Sequence, residues 1–316
     1  MVDLEKQLRA QAKKLLEDKA VDCVIGYENS DDPLMTTPCF ITAPNEVDRL
    51  VLNCLCGNNL TKYLIGRKEK TAVVAKAWDV RSVAVLVKEN QVKRENVIII
   101  GVPSLRIVDQ KKIIAHLNGK EVISVILKEN AIEVQGDVFS EDLLIDDYLQ
   151  AGCELRDDID DSMFDIVIGE MPASKQNIDD DDLIKQLEAM SSEQRWEFFK
   201  KEFSKCIRCY ACREACPLCY CKSCFVDQNF PAWFSKSTDL SDNMSFHIIR
   251  ALHAAGRCTD CGACFRACPN DINLRVLNRK IAKDIKELFD SEPGLNPKED
   301  LPLTSYKPDD PQDFIK

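Results

Sequence analysis

The sequence lacks the features that mark membrane, exported and nucleotide-binding proteins. No apolar run approaches the ~20 residues that a membrane-spanning helix needs, and the N-terminal stretch MVDLEKQLRAQAKKLLEDKA has no apolar centre of the signal-peptide kind. Neither GxGxxG nor GxxxxGK occurs. Nothing resembles a Ser–His–Asp or Cys–His set, and the three histidines, His116, His247 and His253, lie on helical patterns and are interpreted as structural. We therefore expect a cytoplasmic protein with no membrane span.

Positive charge is also in short supply. The chain has 42 Lys and Arg against 53 Asp and Glu, which gives a formal net charge of −11. An acidic protein would have to overcome repulsion from phosphates to bind nucleic acid, so we expect no nucleic-acid partner. We interpret the acidity as a solvated surface, and docking to a basic face of a protein partner is the alternative.

Cysteine, in contrast, is abundant and concentrated. Of 16 cysteines, 11 fall between residues 206 and 268. In the cytoplasm such density indicates metal binding rather than disulfides. The pattern C-x2-C-x2-C-x3-C-P occurs twice, in a first run (Cys206, Cys209, Cys212 and Cys216) and a second run (Cys258, Cys261, Cys264 and Cys268).

The spacing within each run predicts iron–sulfur chemistry. Three thiolates at intervals of three in a tight loop take three corners of an iron–sulfide cube, and in two-cluster ferredoxins the cysteine before proline ligates the other cluster. Tetrahedral zinc, the competing interpretation, does not account for the third Cys-x2 step or for the proline. We predict two [4Fe–4S] clusters with crossed ligands: cluster 1 on Cys206, Cys209, Cys212 and Cys268, and cluster 2 on Cys258, Cys261, Cys264 and Cys216.

Three further cysteines, Cys219, Cys221 and Cys224, exceed what two clusters need. One interpretation makes them ligands of a third cluster, with Cys56 or Cys54 of the segment NCLCGNNL as the fourth ligand. The other leaves them as reduced thiols beside the cluster loops. Three idle thiols within six residues would be open to oxidation, which favours the third cluster.

Strand and helix patterns alternate before the cysteine runs. VDCVIGYE, KTAVVAKA, ENVIIIGVP and MFDIVIGE read as strands, and EVISVILK with AIEVQG as a hairpin. Helices are predicted at 3–18 and in NEVDRLVLNC, NNLTKYLIG, DVRSVAVLVKEN, KKIIAHL and EDLLIDDYLQ, with Asn45 as the N-cap of the second. The alternation predicts an α/β domain with a mainly parallel sheet and flanking helices.

The pattern changes near residue 172, where an acidic linker begins. Beyond it, a helix capped by Ser191 or Ser192 leads into the first run, a second helix leads into the second run, and a third leads out of it. Four segments are predicted: an α/β domain at 1–172, a linker and helix start at 173–190, an α-helical domain with two clusters at 191–290, and a proline-rich tail at 291–316. The third segment resembles the α-helical ferredoxin module of succinate dehydrogenase iron–sulfur subunits and of the small heterodisulfide reductase subunit.

The first half resembles the β-subunit family of deazaflavin-linked hydrogenases and formate dehydrogenases. The similar segments are VDCVIGYE, DRLVLNCLCGNNLTKYL, VVAKAWDVRSV and VIIIGVPS. The resemblance implies FAD, iron–sulfur clusters, and electron transfer between a soluble hydride carrier and a partner catalytic subunit. It also implies cysteines where this chain has Trp78 and Ser104, and a CxxC pair at Cys153–Arg156. We therefore expect the family's own cluster to be absent and the first domain to have lost that redox role.

Two functional hypotheses follow. In the first, the chain relays single electrons between a flavoprotein, hydrogenase, formate dehydrogenase or heterodisulfide reductase-type partner and another iron–sulfur protein, and the catalytic residues lie in partner chains. In the second, it binds FAD itself and exchanges hydride with a deazaflavin or NAD(P)H. Backbone N–H groups at Gly101–Ser104 and Asn58–Asn59 are candidates for phosphate binding, or belong to ordinary turns, so the sequence leaves FAD open. A cluster-bearing assembly or sensor protein is a third hypothesis.

Overall fold

The computed structural model describes residues 2–103, 106–150, 161–170, 182–296, 298–302 and 308. The chain divides into two compact units. The first unit comprises Met1–Val80 and Val92–Ile178, and the second comprises Arg81–Gln91 and Asp179–Lys316.

The first unit contains two sheets and flanking helices. Its strands are β1 (Cys23–Asn29), β2 (Thr36–Ile41), β3 (Thr71–Ala75), β4 (Val97–Gly101), β5 (Ser124–Leu127), β6 (Ala131–Gln135), β7 (Ser140–Leu144) and β8 (Ile166–Val167). Its α-helices are α1 (Val2–Glu17), the start of α2 (Ala77–Lys88) and α3 (Gln110–Leu117). Single 3₁₀ turns lie at Pro44–Arg49, Leu60–Leu64, Arg94–Asn96, Ile145–Tyr148 and Asp161–Met163.

The larger sheet has the strand order β2-β1-β3-β4-β8. The pairs β1–β3, β3–β4 and β4–β8 are parallel, and only the pair β1–β2 at one edge is antiparallel. Ile25, Val73 and Ile100 are wholly buried, as expected for apolar strands that are covered on both faces. The predicted α/β class with a parallel sheet is therefore confirmed for this half of the chain.

A second, antiparallel sheet joins β5, β6 and β7 in that order. Ile132, Val134 and Leu143 form its buried face and share a core cluster with Ile113 and Leu117 of α3. The predicted hairpin of β5 and β6 is confirmed. This sheet has a third strand that the sequence analysis assigned to a helix.

The helix predicted for EDLLIDDYLQ is wrong. Ser140–Leu144 is strand β7, and only Ile145–Tyr148 forms a 3₁₀ turn. Leu143 and Ile145 are buried while Leu144 is exposed, so this stretch buries alternate residues with the period of a strand. The Lys128 ammonium contacts the Asp142 carboxylate of β7 at 2.7 Å, which adds a cross-strand ion pair.

The helices predicted for NEVDRLVLNC and NNLTKYLIG are shorter than expected. The first begins after Ala43, not at Asn45, with Pro44 in its first turn, and it stops at Arg49. It stops there because Leu50 is extended and Val51 pairs with Tyr27 of β1. The second is a 3₁₀ turn capped by Asn59, whose side chain accepts the N–H of Thr61.

Helices make up the second unit, and its described residues contain no strand. They are the end of α2 together with α4 (Asp182–Ala189), α5 (Ser192–Phe203), α6 (Ala211–Glu214), α7 (Leu240–His253), α8 (Ala263–Arg266) and α9 (Leu274–Phe289). Ser191 forms a capping box with Gln194 at the start of α5, as its position predicts. Among the described helices, none combines the length and the apolar character needed to cross a membrane.

The helices of the second unit enclose the cysteine runs. Phe203 of α5, Met244 and Phe246 of α7, and Ile272 and Leu274 at the start of α9 form one core with three cysteines of the runs. The predicted order of helix, run, helix, run and helix is present. A packed helical core therefore supports the loops that carry the cysteines.

The end of α2 and the residue that follows it contact the start of the second run. Within this unit, the Arg257 guanidinium donates to the Glu89 carboxylate, with an Nη2–Oε2 distance of 2.9 Å. The Ser82 and Thr259 hydroxyls are 2.9 Å apart. These contacts flank Cys258 and fix the start of the run.

Candidate metal centres

The two cysteine runs share one local backbone conformation. Arg208 and Tyr210 in the first run have φ of 57° and 61°, and Asp260 and Gly262 at the matching positions of the second have φ of 53° and 68°. A single turn of helix, α6 or α8, follows each loop. Left-handed non-glycine residues cost about 1–3 kcal/mol each and concentrate at functional sites. Their recurrence indicates that both loops are shaped for the same task.

Four cysteines line the first cavity: Cys206, Cys209, Cys212 and Cys268. The first three belong to the first run, and Cys268 is the last cysteine of the second. Apolar side chains surround them, including Ile207, Phe246 and Leu274.

The second cavity repeats this arrangement. The cysteines that line it are Cys216, Cys258, Cys261 and Cys264. Here the last cysteine of the first run meets the first three of the second. The structure thus groups the eight cysteines in the two sets that crossed ligation requires.

The surroundings of the first cavity are mainly apolar, and His247 and Asn270 are among the polar residues that line it. The Arg208 backbone N–H donates to the Cys206 sulfur at 3.4 Å. The His247 ring lines the cavity and stacks on Phe203, with 4.7 Å between ring centroids. Burial, assisted by the charges of Arg250 and Arg208, lowers the pKa of His247 to about 3, so the imidazole is neutral. Neither ring nitrogen has a hydrogen-bond partner among the described residues.

The second cavity is lined by more polar groups. The Asn278 side-chain amide donates to the Cys264 sulfur at 3.7 Å. Asp260, within the run, accepts from Nε and Nη2 of Arg275 at 3.0 and 2.9 Å. The guanidinium of Arg250 also lines this cavity. The two cavities therefore differ in charge although their backbones match.

Burial favours the protonated form of four of these thiols, those of Cys206, Cys212, Cys216 and Cys258. It raises the pKa of Cys206 and Cys258, and that of Cys212 to about 12. For Cys216 a contact with the Cys219 thiol is the main cause of a raised pKa, and burial is the second. Metal binding must therefore displace protons from these sulfurs, and it would replace an unfavourable buried thiolate with a metal–sulfur bond.

The donor set fits an iron–sulfur cube. Each cavity presents four soft sulfur ligands, which suit zinc or iron–sulfur clusters. A single zinc ion would draw four sulfurs to about 2.3 Å from one point. Among the described residues, no three His, Cys, Asp or Glu side chains are placed to hold a single metal ion. The unpartnered nitrogens of His247 add hydrogen-bonding capacity towards a group in the first cavity.

The cysteines predicted for a third cluster have varied environments. The pKa of Cys219 is lowered to about 7, mainly by its contact with Cys216 and also by Arg250, while burial acts in the opposite direction. Cys221 is exposed, and Cys224 packs at the edge of the core of the second unit. Cys56 is wholly buried in the first unit, where its sulfur accepts the Asn53 N–H at 3.4 Å. Cys54, the alternative ligand, is also buried there.

The other positions singled out from the sequence lie in the first unit. Trp78, in the position where the resemblance implies cysteine, is buried at the start of α2. The Asn58 amide donates to the Thr36 carbonyl at 3.3 Å, and its own carbonyl accepts from Tyr27 at 2.6 Å and Lys76 at 2.9 Å. These hydrogen bonds give the polar groups of Asn58 partners within the first unit. Ser104 and the Cys153–Arg156 segment lie outside the described residues.

Sequence reasoning missed two residues of these centres, His247 and Arg250. Both are buried on the face of α7 that includes Asn243, Met244 and Ala251. The signal was present as helical spacing, because residues three and four apart share one face. The helix MSFHIIRALHAAG was recognised, but a His and an Arg on its apolar face were not connected with the cysteines.

Comparisons with known proteins agree with this picture. Residues 202–272 match the family model described as a 4Fe-4S dicluster domain. An F420-dependent formate dehydrogenase subunit beta of Methanocaldococcus jannaschii is 25% identical, over 90% of this chain and 90% of that protein. The F420-dependent formate dehydrogenase 1 subunit beta of Methanococcus maripaludis is 24% identical over 77% of this chain and 78% of its own length.

A solved structure of the F420-reducing [NiFe] hydrogenase complex from Methanosarcina barkeri, derivatized with xenon, also matches. It is 13% identical, with a TM-score of 0.36, and the match covers 48% of this chain and 60% of that chain, which is less than two thirds of its length. The sequence comparisons confirm the predicted resemblance to β subunits of such enzymes. The domain match supports at least one [4Fe–4S] cluster in the second unit.

Proposed function

We propose that this protein is an iron–sulfur electron-transfer subunit of a larger redox complex. The observation that carries the proposal is the pair of cavities, each lined by three cysteines of one run and the fourth of the other. Such clusters, when bound, accept and release single electrons. The similarity to β subunits of formate dehydrogenase indicates the kind of complex.

The ligands follow from the two cavities. Cys206, Cys209, Cys212 and Cys268 would hold the first [4Fe–4S] cluster, and Cys258, Cys261, Cys264 and Cys216 the second. The second unit would then act as an α-helical ferredoxin domain, and its boundaries would be those predicted from the sequence, 191–290. Two properties of this unit support the assignment: its loops repeat one conformation, and three of the eight thiols, those of Cys212, Cys264 and Cys268, are buried.

The chain's own residues would set the conditions for electron transfer. The Arg208 N–H and the Asn278 amide donate to ligand sulfurs, and hydrogen bonds to sulfur raise the reduction potential of a cluster. Cys209 is exposed, so the first cavity is the one whose ligands reach the surface. We propose that a partner redox protein exchanges electrons at Cys209 and that the cluster in the second cavity is the next site in the relay.

The partner would be a flavoprotein, a hydrogenase, a formate dehydrogenase or a heterodisulfide reductase-type subunit. The similarity to β subunits of F420-dependent formate dehydrogenases favours a formate dehydrogenase. Pull-down of the intact complex under anaerobic conditions, followed by reduction with the partner's own substrate, tests this function. The expected result is bleaching of the cluster absorbance with each cubane taking one electron. A chain that stays oxidised while its partner turns over would contradict the proposal.

A second candidate function is a flavin-containing β subunit that itself exchanges hydride with a deazaflavin or NAD(P)H. The similarity to F420-dependent formate dehydrogenase β subunits along 90% of the chain favours it. Flavin released by acid from the anaerobically purified complex, together with dye reduction driven by a reduced deazaflavin, would support this function. A complex with neither flavin nor that activity would leave only the electron-relay function.

A third cluster on Cys219, Cys221, Cys224 and Cys56 also stays a proposal. The exposure of Cys221 and the position of Cys224 at the surface of the core leave both thiols accessible. The variant Cys221→Ser separates the two interpretations. A third cluster predicts that iron falls from about twelve to about eight per chain, whereas free thiols predict about eight before and after.

A further inference from the structure

Arg250 is a buried charged residue on the helix that runs between the two cysteine-lined cavities. It lies on α7, and only 6% of its surface is exposed. Its guanidinium lines the second cavity, beside Cys216, Cys258 and Cys264. Its Nη2 donates to the backbone carbonyl of Cys212, a residue that lines the first cavity, at 3.0 Å. One side chain thus contacts the walls of both cavities.

The charge of Arg250 has no carboxylate partner among the described residues. In the same unit, Arg275 is paired with Asp260 and Arg257 with Glu89, whereas the guanidinium of Arg250 donates to the Cys212 carbonyl. Its Nε has no hydrogen-bond partner in the part of the chain that the structure describes. Burying an unpaired charge costs several kcal/mol, so an anion is expected beside it.

The electrostatic neighbours of Arg250 come from both sets of cysteines. Burial acts to lower its pKa, but the charge that Cys264, Cys216, Cys219 and Cys212 carry when deprotonated raises it well above the ordinary value. Burial raises the pKa of Cys212, and the Cys219 contact and burial raise that of Cys216; the charge of Arg250 opposes both increases. The guanidinium is therefore within electrostatic reach of ligands in each cavity.

We propose that Arg250 is a shared positioning and tuning residue that raises the reduction potentials of both clusters at once. This inference rests on the proposed function. A cubane with four thiolate ligands is an anion and gains one negative charge on reduction, so a nearby fixed positive charge favours the reduced form. In a buried site this Coulomb interaction is screened far less than at a surface. Because the charge is shared, it also offsets the repulsion that a reduced neighbour exerts on the second electron.

The test uses the full-length chain, purified without oxygen, and two variants that separate charge from hydrogen bonding. Arg250→Gln keeps a donor for the Cys212 carbonyl and removes the charge, and Arg250→Lys keeps the charge. Arg195→Met is the control, because Arg195 also donates to backbone carbonyls but lines neither cavity. The readout is the midpoint potential of each cluster, measured by redox titration with EPR detection.

Arg250→Gln is expected to lower the equilibrium constant for reduction at least tenfold at both clusters, a shift of about 59 mV for a one-electron couple. Arg250→Lys should change either constant by less than about threefold, and Arg195→Met should change neither. Unchanged potentials in Arg250→Gln, or a shift at one cluster alone, would overturn the inference. If Arg250→Gln does not retain its clusters, a tenfold fall in Arg250→Lys overturns it instead.

Iron and sulfide analysis of the wild-type chain distinguishes a failure of this inference from a failure of the proposed function. If both clusters form and their potentials do not change when residue 250 is substituted, the proposed role of Arg250 is wrong and the electron-transfer function still stands. A wild-type chain without clusters would overturn the proposed function itself.

Discussion

The cysteines of the two units have the same chemistry but different surroundings. In the first unit, Cys23, Cys39, Cys54 and Cys56 are buried, and burial raises the pKa of each. In the second unit, eight cysteines face two cavities and sit on loops with left-handed residues. Buried cysteines occur in both sets, because Cys212, Cys264 and Cys268 of the second unit are buried as well. The comparison teaches that the arrangement of thiols around a cavity, rather than burial, distinguishes a ligand from a core residue.

The largest expected effect comes from breaking the crossed pairing. Cys216 lines the second cavity although it belongs to the first run. We predict that the double variant Cys216→Ser/Cys219→Ser loses about half of the iron, and that the cluster lost is the one on the second run. The second substitution is needed because Cys219 contacts Cys216 and is placed to replace it. Iron analysis and EPR of the reduced protein measure both outcomes.

The matched control for that variant is Cys219→Ser alone, which should keep about eight irons under the two-cluster assignment. Loss of the cluster on the first run from the double variant, with the second-run signal intact, would contradict crossed ligation.

A smaller effect is expected in the first unit. Cys56 is wholly buried, and its sulfur accepts the Asn53 N–H. Cys56→Ala should lower the free energy of unfolding by about 1–3 kcal/mol, because it leaves a small cavity and an unpaired amide. Its iron content should match the wild type if Cys56 is only a core residue. Chemical denaturation and iron analysis on one preparation check both; a drop in iron would instead identify Cys56 as a ligand of a third cluster.

The smallest perturbation is alkylation of the metal-free protein. A thiol reacts as the thiolate, and burial raises the pKa of Cys39 to about 12 and that of Cys56 to about 11. Both are therefore expected to be almost fully protonated near pH 8 and to label slowly, whereas the exposed Cys209 and Cys221 should label first. Mass spectrometry of peptides after brief treatment with iodoacetamide gives the order. Early labelling of Cys39 or Cys56 would show that the first unit does not protect its thiols.

The features of the fold and of the candidate site that could be predicted from the sequence are those whose residues lie close together along the chain. The cysteine runs carry their spacing within eleven residues, so the two groups of four could be proposed before the cavities were seen. The strands β1, β3 and β4 were also predicted, because each is a short, nearly continuous apolar segment bounded by polar residues.

Features that depend on distant partners could not be predicted in this way. The segment 140–144 has leucines and acidic residues that suit a helix, and only its pairing with β6 makes it a strand. Strand β2 was missed because Pro38 interrupts its pattern, and it is an edge strand, where proline is tolerated. Arg250 lies 38 residues from Cys212 in sequence, so its contact with that residue exists only in the fold.

The central claim is that the two cavities hold iron–sulfur cubes on crossed sets of cysteines. Its most direct test is elemental analysis of chain purified without oxygen, with acid-labile sulfide measured on the same sample. The account predicts at least about eight irons and eight sulfides per chain and a brown protein whose colour bleaches on reduction. Zinc in place of iron, with no acid-labile sulfide, would contradict it.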